Sequence, residues 1–555
     1  MSLPNPRIRR PDVIIIGTGA AGAVLAKELS TKGLKVVAME MGPFLKTRHF
    51  DQDELTAMHP ASSSLHEHAD IYRHDQPNTY RQSASEQAVE DHGIHMQSTV
   101  GGSTLHYTGI SWRLHENDFK ERSLYGDLDG ADVQDWPIDY WDLEHYYEKA
   151  EYEVGISGLA GANPFDPPRR RPYPMPPVPR TSSGALADMA AQKLGWHSYP
   201  APLAINSREY GGRPPVMNCG FCESYVCTIQ ARSSMLVTMI PKALRTGNCE
   251  VRADSCVREI VVDEDGRAEG VIYLDKDFRE HRLEARAVIV CCNGVHTPRL
   301  LLMSKSNLFP DGLANSSGKV GKHLMFNYYQ SARGFFEKDL NEYKGVMDSR
   351  IIQDFYDPDP DKYGFFGGGV LEPRGDGETI SFANLNMPRL RRWGARRKKW
   401  IMDNYTRYMV ALTSMQSMSQ ESNTIDLDPD VKDKWGLPVP RVTYNVHPNE
   451  HELGDFFRDR ARELLDAAGA HGIVASPNFV PHGDAHLMGT CRMGDDPATS
   501  VVNKFNQAHD VDNLFIVDGS SFVTSGKSNP TLTIQALAFR CADYIVTQMA
   551  RLNIR

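Results

Sequence analysis

The chain has 555 residues, too many for one small core, and its make-up (41% hydrophobic, 24% charged) is that of a soluble globular protein with two interleaved domains. A net charge of -10 excludes a nucleic-acid role, since phosphate binding needs a basic face, and no apolar run reaches the roughly 18 residues of a membrane span. Nine cysteines, an odd number spread over a long chain, speak against a disulfide framework.

Arg9 and Arg10 precede a short apolar run, but it leads straight into glycines with no small-residue cleavage site, so no signal peptide of the chain's own is expected. Asp12 to Ile16 is β-branched and continuous, the pattern of a strand buried on both faces. Gly17, Thr18, Gly19, Ala20, Ala21 and Gly22 follow, then a helical pattern through Leu29, then a second strand, Lys35 to Met39, ending at Glu40. This is the order strand, G-x-G-x-x-G, helix, strand, acid. The glycines permit a tight turn and close approach of a pyrophosphate to the helix start, and Glu40 falls where a carboxylate accepts from an adenosine ribose. An acid there fits FAD or NAD and disfavours NADP.

Residues 43–95 are polar and lack periodicity, so a surface excursion or lid is expected, with His49, His59, His66, His68 and His74 solvated rather than metal-binding. In STVGGSTLHYTG, Gly101, Gly102, Thr104 and His106 are suited to pack against a flat ligand. Asp139 to Glu153 reads as a core-packing helix, and the proline-rich residues 161–182 as an extended connection. Three cysteines then crowd into MNCGFCESYVC: Cys219, Cys222 and Cys227. Ala231 to Ile240 reads as a helix ending at Pro241, and Cys249 to Asp275 as strands, with Val257 a candidate cofactor contact. Ala287 to Val290 is a second buried strand entering a glycine turn at Asn293 and Gly294, with a helix over Arg299 to Ser304.

Residues 326–450 alternate like antiparallel strands, as in Tyr405 to Leu412, and are expected to form a sheet-based substrate domain. Met402, Met409, Met415 and Met418 read as core gap-fillers, and the basic run Arg391 to Lys399 as a solvated loop. Residues 451–475 read as an amphipathic helix. Near the C-terminus come HLMGTCRMG, NLFIVDGSSFV and SGKSNPTLT. They hold His486 and, forty-three residues later, Asn529 before Pro530 and Thr531, where a helix begins.

Four separated motifs, GTGAAG with Glu40, VGGSTLHYTG, CNGVHTPRLLLMS, and HLMGTCRMG with NLFIVDGSSF and NPTLT, resemble those of the glucose–methanol–choline (GMC) flavoprotein oxidoreductases, in the family's order and over most of the chain. Within that family the likeness is to catalytic subunits of bacterial FAD-dependent sugar, gluconate and glucoside dehydrogenases. Pyranose 2-oxidase shares the His-then-Asn pairing. The resemblance implies an α/β fold: a Rossmann-like FAD-binding domain (10–42, 96–110, 215–325 and 480–555) interleaved with an α+β, antiparallel-sheet substrate domain and connections (111–214 and 326–479).

It further implies FAD rather than free NAD, and oxidation of a secondary or hemiacetal hydroxyl of a sugar, glycoside or polyol. His486 would take the proton and Asn529 hold the substrate oxygen. Asp518 and Gly519 would touch the ribityl or pyrophosphate region, and the helix from Pro530 would face the flavin's electron-accepting edge. His106 falls where some relatives attach flavin covalently; a packing histidine is the alternative. Cys219, Cys222 and Cys227 suit a three-iron (3Fe-4S) cluster, as in related subunits, although a further upstream cysteine usual in those relatives is absent; buried free cysteines are the alternative. A cluster would bring a small chaperone-like partner subunit and a cytochrome acceptor, with the chain cytoplasmic or exported to the periplasm on the partner's signal. An oxidase returning electrons to oxygen is the competing reading.

Overall fold

A computed structural model describes the chain except residues 1–4, 47–48, 51, 53, 55–76, 92, 376, 386–391, 477–484 and 553–555. The run read as doubly buried is so: Val13–Ile16 lies at the middle of a five-stranded parallel sheet. The order across that sheet is Leu514–Ile516, Ala287–Val290, Val13–Ile16, Val36–Met39, Cys249–Arg252. Its centre is β-branched and fully buried because helices cover both faces. The helix Gly22–Thr31 buries Val24, Leu25 and Leu29 and ends at Gly33, whose φ of +90° closes the turn. The helix Tyr140–Val154 opens on a capping box: Asp139 accepts from the amides of Trp141 and Asp142, and Asp142 accepts from the amide of Asp139.

A six-stranded antiparallel sheet stands apart, in the order Gly472–Ala475, Tyr328–Phe335, Tyr408–Met415, Gly369–Arg374, Arg350–Ile352, Ser198–Pro200. The fold is therefore mixed α/β, with a parallel nucleotide-type sheet and separate antiparallel sheets, as expected. Among the described residues no helix is long and apolar enough to cross a membrane.

Several local expectations are corrected. Ala231 to Thr238 is not helical; the helix is Met239–Arg245, and Pro241 lies in its first turn, where a missing N–H costs nothing. The helix expected after Pro298 begins at Asn293 and contains that proline. The Gly294 carbonyl, which Pro298 leaves without its helical donor, accepts from the Thr490 hydroxyl at 2.7 Å. The amphipathic helix is Pro448–Ala467; Gly469 (φ +89°) breaks it, and Gly472–Ala475 joins the antiparallel sheet beside Phe335. The basic run is helical from Ala395, with Arg397 buried against backbone carbonyls, and Met402 is exposed while Met409, Met415 and Met418 are buried. Within 43–95, Asn78–Arg81 is a strand pairing in parallel with Pro438–Thr443. Residues 55–76 of that segment, with His59, His66, His68 and His74, lie outside the described residues.

Candidate active site

The carboxyl ends of the parallel strands open into a cavity of about 1180 Å³, whose far wall is the antiparallel sheet. Val13–Ile16 leaves its sheet at Gly17, which has φ +92° and whose added Cβ would lie 2.4 Å from the Cys291 carbonyl oxygen. A Cβ on Gly22 would lie 2.0 Å from the Gly17 oxygen. Those two glycines serve chain packing. Gly19 differs: a Cβ there meets nothing nearer than Gly102 Cα at 4.0 Å, so its face is open to the cavity. Gly102 (φ +57°) packs back against it, and a Cβ on Gly102 would reach Gly19 Cα at 2.8 Å.

No side chain caps the helix that starts at Gly22 and no acid lies in its first turn, so no side chain there offsets the positive end of its dipole beside the cavity. Glu40 is buried at the end of the second strand and accepts from the Thr18 amide (3.1 Å), the Thr18 hydroxyl (2.8 Å) and the Gly42 amide (3.3 Å). Burial pushes its carboxyl up to about 7 against those hydrogen bonds. The Thr18 hydroxyl also accepts from the Gly101 amide, tying the two glycine segments together.

Ala20, Ala21, Thr104, His106, Val257, Asn293, Asp518, Gly519, Asn529, Pro530 and Thr531 border the same cavity, drawn from six separate stretches of chain. Gly22, Gly101 and Gly294 do not line it; they let lining segments approach one another. Asp518 accepts from the Asn293 amide, the Thr297 hydroxyl and the Ser520 amide, so its carboxylate braces the turn rather than reaching out. Burial, reinforced by Arg232, lowers the His106 imidazole to about 3, which makes it neutral at ordinary pH.

At the other end His486 and Asn529 meet. The Asn529 amide nitrogen lies 3.3 Å from His486 Nε2, and Asn529 Oδ1 has no hydrogen-bond partner among the described residues. His486 Nδ1 is 2.7 Å from Asn327 Oδ1 and 2.8 Å from the Tyr329 hydroxyl. Asn327 donates its own NH₂ to the carbonyls of Met415 (3.0 Å) and Gly526 (3.3 Å), so its oxygen must face the imidazole. That arrangement places the proton on Nδ1 and the lone pair on Nε2, towards Asn529. Desolvation lowers the imidazole to about 4.

The loop presenting Asn529 is held from behind. Lys527, 1% exposed, donates to Asp118 (3.0 Å) and Asp357 (2.7 Å), with Glu121 at 3.5 Å. From the front, added Cβ atoms on Gly294 and Gly519 would lie 2.5 and 2.4 Å from the Leu487 carbonyl oxygen, so both clamp the backbone next to His486. Asn327, Tyr329, Glu372 and Arg374 are site residues that motif reading missed. They sit on or beside strands whose alternation is visible, but nothing local says which face meets the cavity.

The cysteine expectation is not met. Cys219 is exposed, Cys222 buried and Cys227 intermediate, and no three His, Cys, Asp or Glu side chains gather as a metal-holding group among the described residues. Burial pushes the Cys222 thiol up to about 12. As placed, these thiols do not make the ligand set of an iron–sulfur cluster.

Residues 12–327 and 419–538 match the GMC oxidoreductase family. The chain belongs to the GMC oxidoreductases. It is an FAD-dependent enzyme that oxidises CH–OH groups. This GMC oxidoreductase is 34% identical to 2-methyl-1,2-propanediol dehydrogenase of Mycolicibacterium austroafricanum, covering 96% of this chain and 95% of that one. It is 30% identical to the fructose dehydrogenase large subunit of Gluconobacter japonicus, covering 97% and 98%. Its fold is shared with pyridoxine 4-oxidase from Mesorbium loti (TM-score 0.61, 16% identity, 97% and 99% covered). The cavity fits FAD on its own terms: an open face at Gly19, an uncapped helix start, a carboxylate at the second strand's end, and a second helix start at Thr531.

Proposed function

We propose that this GMC oxidoreductase is a dehydrogenase acting on a hydroxyl-bearing carbon of a sugar, glycoside or polyol, with His486 as the base. When bound, FAD would supply the acceptor for a hydride leaving the carbinol carbon. Gly19, Ala20, Ala21 and Gly102 would admit its pyrophosphate, Glu40 its ribose, and Pro530 and Thr531 its electron-accepting edge. The observation that carries the reading is the tautomer lock at His486.

With Nδ1–H committed to Asn327, only Nε2 can take the hydroxyl proton. A neutral imidazole is already the dominant form at neutral pH, because burial holds its protonated form down. The Asn529 NH₂, beside Nε2, can donate to the substrate oxygen as negative charge develops there. Asparagine cannot titrate, so one histidine carries the proton. The helix Thr531–Leu552 starts beside the cavity and lends its amide dipoles to the same region.

The substrate class and acceptor rest on the two relatives named as dehydrogenases of a diol and of a sugar. The name of one as a large subunit supports a partner subunit here too. His106 borders the cavity as a neutral imidazole, which supports a tether to the flavin, with a packing histidine as the alternative.

The test is His486→Ala in the FAD-loaded enzyme. Substrate should no longer bleach the flavin while FAD stays bound; normal bleaching by a polyol would remove the base assignment. Acid precipitation reports separately on His106: yellow colour staying with the protein supports the tether, and colour released to the supernatant removes it. Turnover with an artificial dye but not with oxygen is the expected acceptor pattern.

A further inference from the structure

The antiparallel wall contributes a line of side chains to the cavity. Strand pairing sets Glu372 across from Leu412, and Leu412 across from Ser331. Residues two apart on a strand share a face, so Tyr329, Leu412, Glu372 and Arg374 look the same way, and all four border the cavity. Tyr329 reaches His486. Glu372 lies two strands and two residues further on, roughly 12 Å between backbones at ordinary sheet spacings. The two side chains and a sugar-sized ring together fill that gap, with Leu412 as an apolar platform between them.

Glu372 is 2% exposed, and its Oε1 has no hydrogen-bond partner among the described residues. A buried carboxyl oxygen without a donor is costly unless a ligand supplies one. Its neighbours are also acidic. Arg374 donates to Glu223 at 3.0 Å, and its other terminal nitrogen stands 3.9 Å from Asp348. Two carboxyl groups thus draw on the one guanidinium, whose charge Glu372 also feels. Burial first, then the Asp348 charge, push the Glu372 carboxyl up to about 8. Glu223 comes from the cysteine loop and borders the same cavity, so the acidic excess faces the ligand space.

We propose that Glu372 recognises the substrate away from the reacting carbon, taking a hydroxyl or ammonium donor, and that with Glu223 and Asp348 it excludes substrates bearing a carboxylate. The substrate class is therefore a neutral or cationic polyhydroxy compound, not a sugar acid. A carboxylate would meet Arg374 already paired and carboxyl groups on either side. An ammonium would displace the Glu372 proton to solvent and pair with the carboxylate left behind. This rests on the proposed function, since it takes the same cavity as the substrate site.

The experiment uses FAD-loaded wild-type, His486→Ala and Glu372→Gln enzymes, the last also combined with His486→Ala. The ligands are two matched sets: 1,2-propanediol, 3-amino-1,2-propanediol and glycerate; glucose, glucosamine and gluconate. Binding is read from the shift in flavin absorbance in the His486→Ala proteins, and turnover from dye reduction by the others. Neutral and amino ligands should bind at least about tenfold more tightly than the acid of their set. Glu372→Gln should erase most of the amino ligand's advantage and narrow the acid's penalty, with FAD content unchanged.

Acids binding as well as neutral ligands, no ligand binding at all, or a ranking untouched by Glu372→Gln would each overturn the proposal. Should Glu372→Gln not fold, the ranking with the original Glu372 decides. The expected ranking without turnover by the wild-type enzyme would remove the oxidation reading and leave this one standing; turnover without the ranking would do the reverse.

Discussion

The two ends of the cavity are built by different means. The nucleotide end is made of backbone: an open glycine, uncapped helix amides and one carboxylate held by its own neighbours. The substrate end is made of side chains, His486, Asn529, Asn327, Tyr329 and Glu372, from four separate stretches, with the His486 imidazole oriented by Asn327 and Tyr329 and Asn327 by distant carbonyls. The first kind of site depends on local conformation, so one residue can destroy it. The second depends on relative placement, so its members fail by degrees.

That contrast can be broken from either side. Gly19→Val should act most severely, since a branched side chain would fill the open face in front of the helix start. The purified protein should be colourless and inactive, and a normal ratio of flavin to protein absorbance would refute the backbone reading. His486→Ala should come next, lowering kcat by about 10²- to 10⁴-fold as expected for a lost general base, with flavin retained. Asn327→Ala should lower kcat by roughly 10- to 100-fold, as for other groups that orient a catalytic ligand, with little change in KM. If KM rises instead, Asn327 acts on substrate binding and not on the imidazole.

The smallest effect is in pH dependence. His486 works unprotonated and its folded value lies near 4, below the usual range, so kcat/KM should hold from neutral pH downward and fall only as pH approaches 4. A limb near 6.5 would mean that the imidazole is not desolvated. Asn327→Ala should move that limb, whereas a purely structural loss would leave it in place.

The same contrast decides which features are legible in the sequence. Gly17 to Glu40 is one contiguous unit with fixed spacing, and the strand–turn–helix at Ala287 repeats its logic, so the parallel sheet and its ligand end were legible. His486 and Asn529 were legible because each sits in a long local motif. Asn327 and Glu372 were not, because their importance comes from which sheet face meets the cavity. Pro241 reads as a stop and Pro298 as a start in the sequence, yet both lie inside helices: one in a first turn, the other with the Gly294 carbonyl that it orphans served by Thr490. The cysteine spacing suggested a cluster, but spacing along a loop does not aim thiols at one point.

The clamp on Leu487 carries one more consequence. Gly294 and Gly519 hold the backbone beside His486 by contacts that no larger residue could preserve, whereas Glu372, Arg374 and Leu412 hang from strands that tolerate exchange of their side chains. The height of the base above the cofactor bed is thus gauged by two missing methyl groups. Specificity can drift across the opposite wall while that gauge stays unchanged, which allows one scaffold to be retuned from one alcohol to another without relearning the reaction.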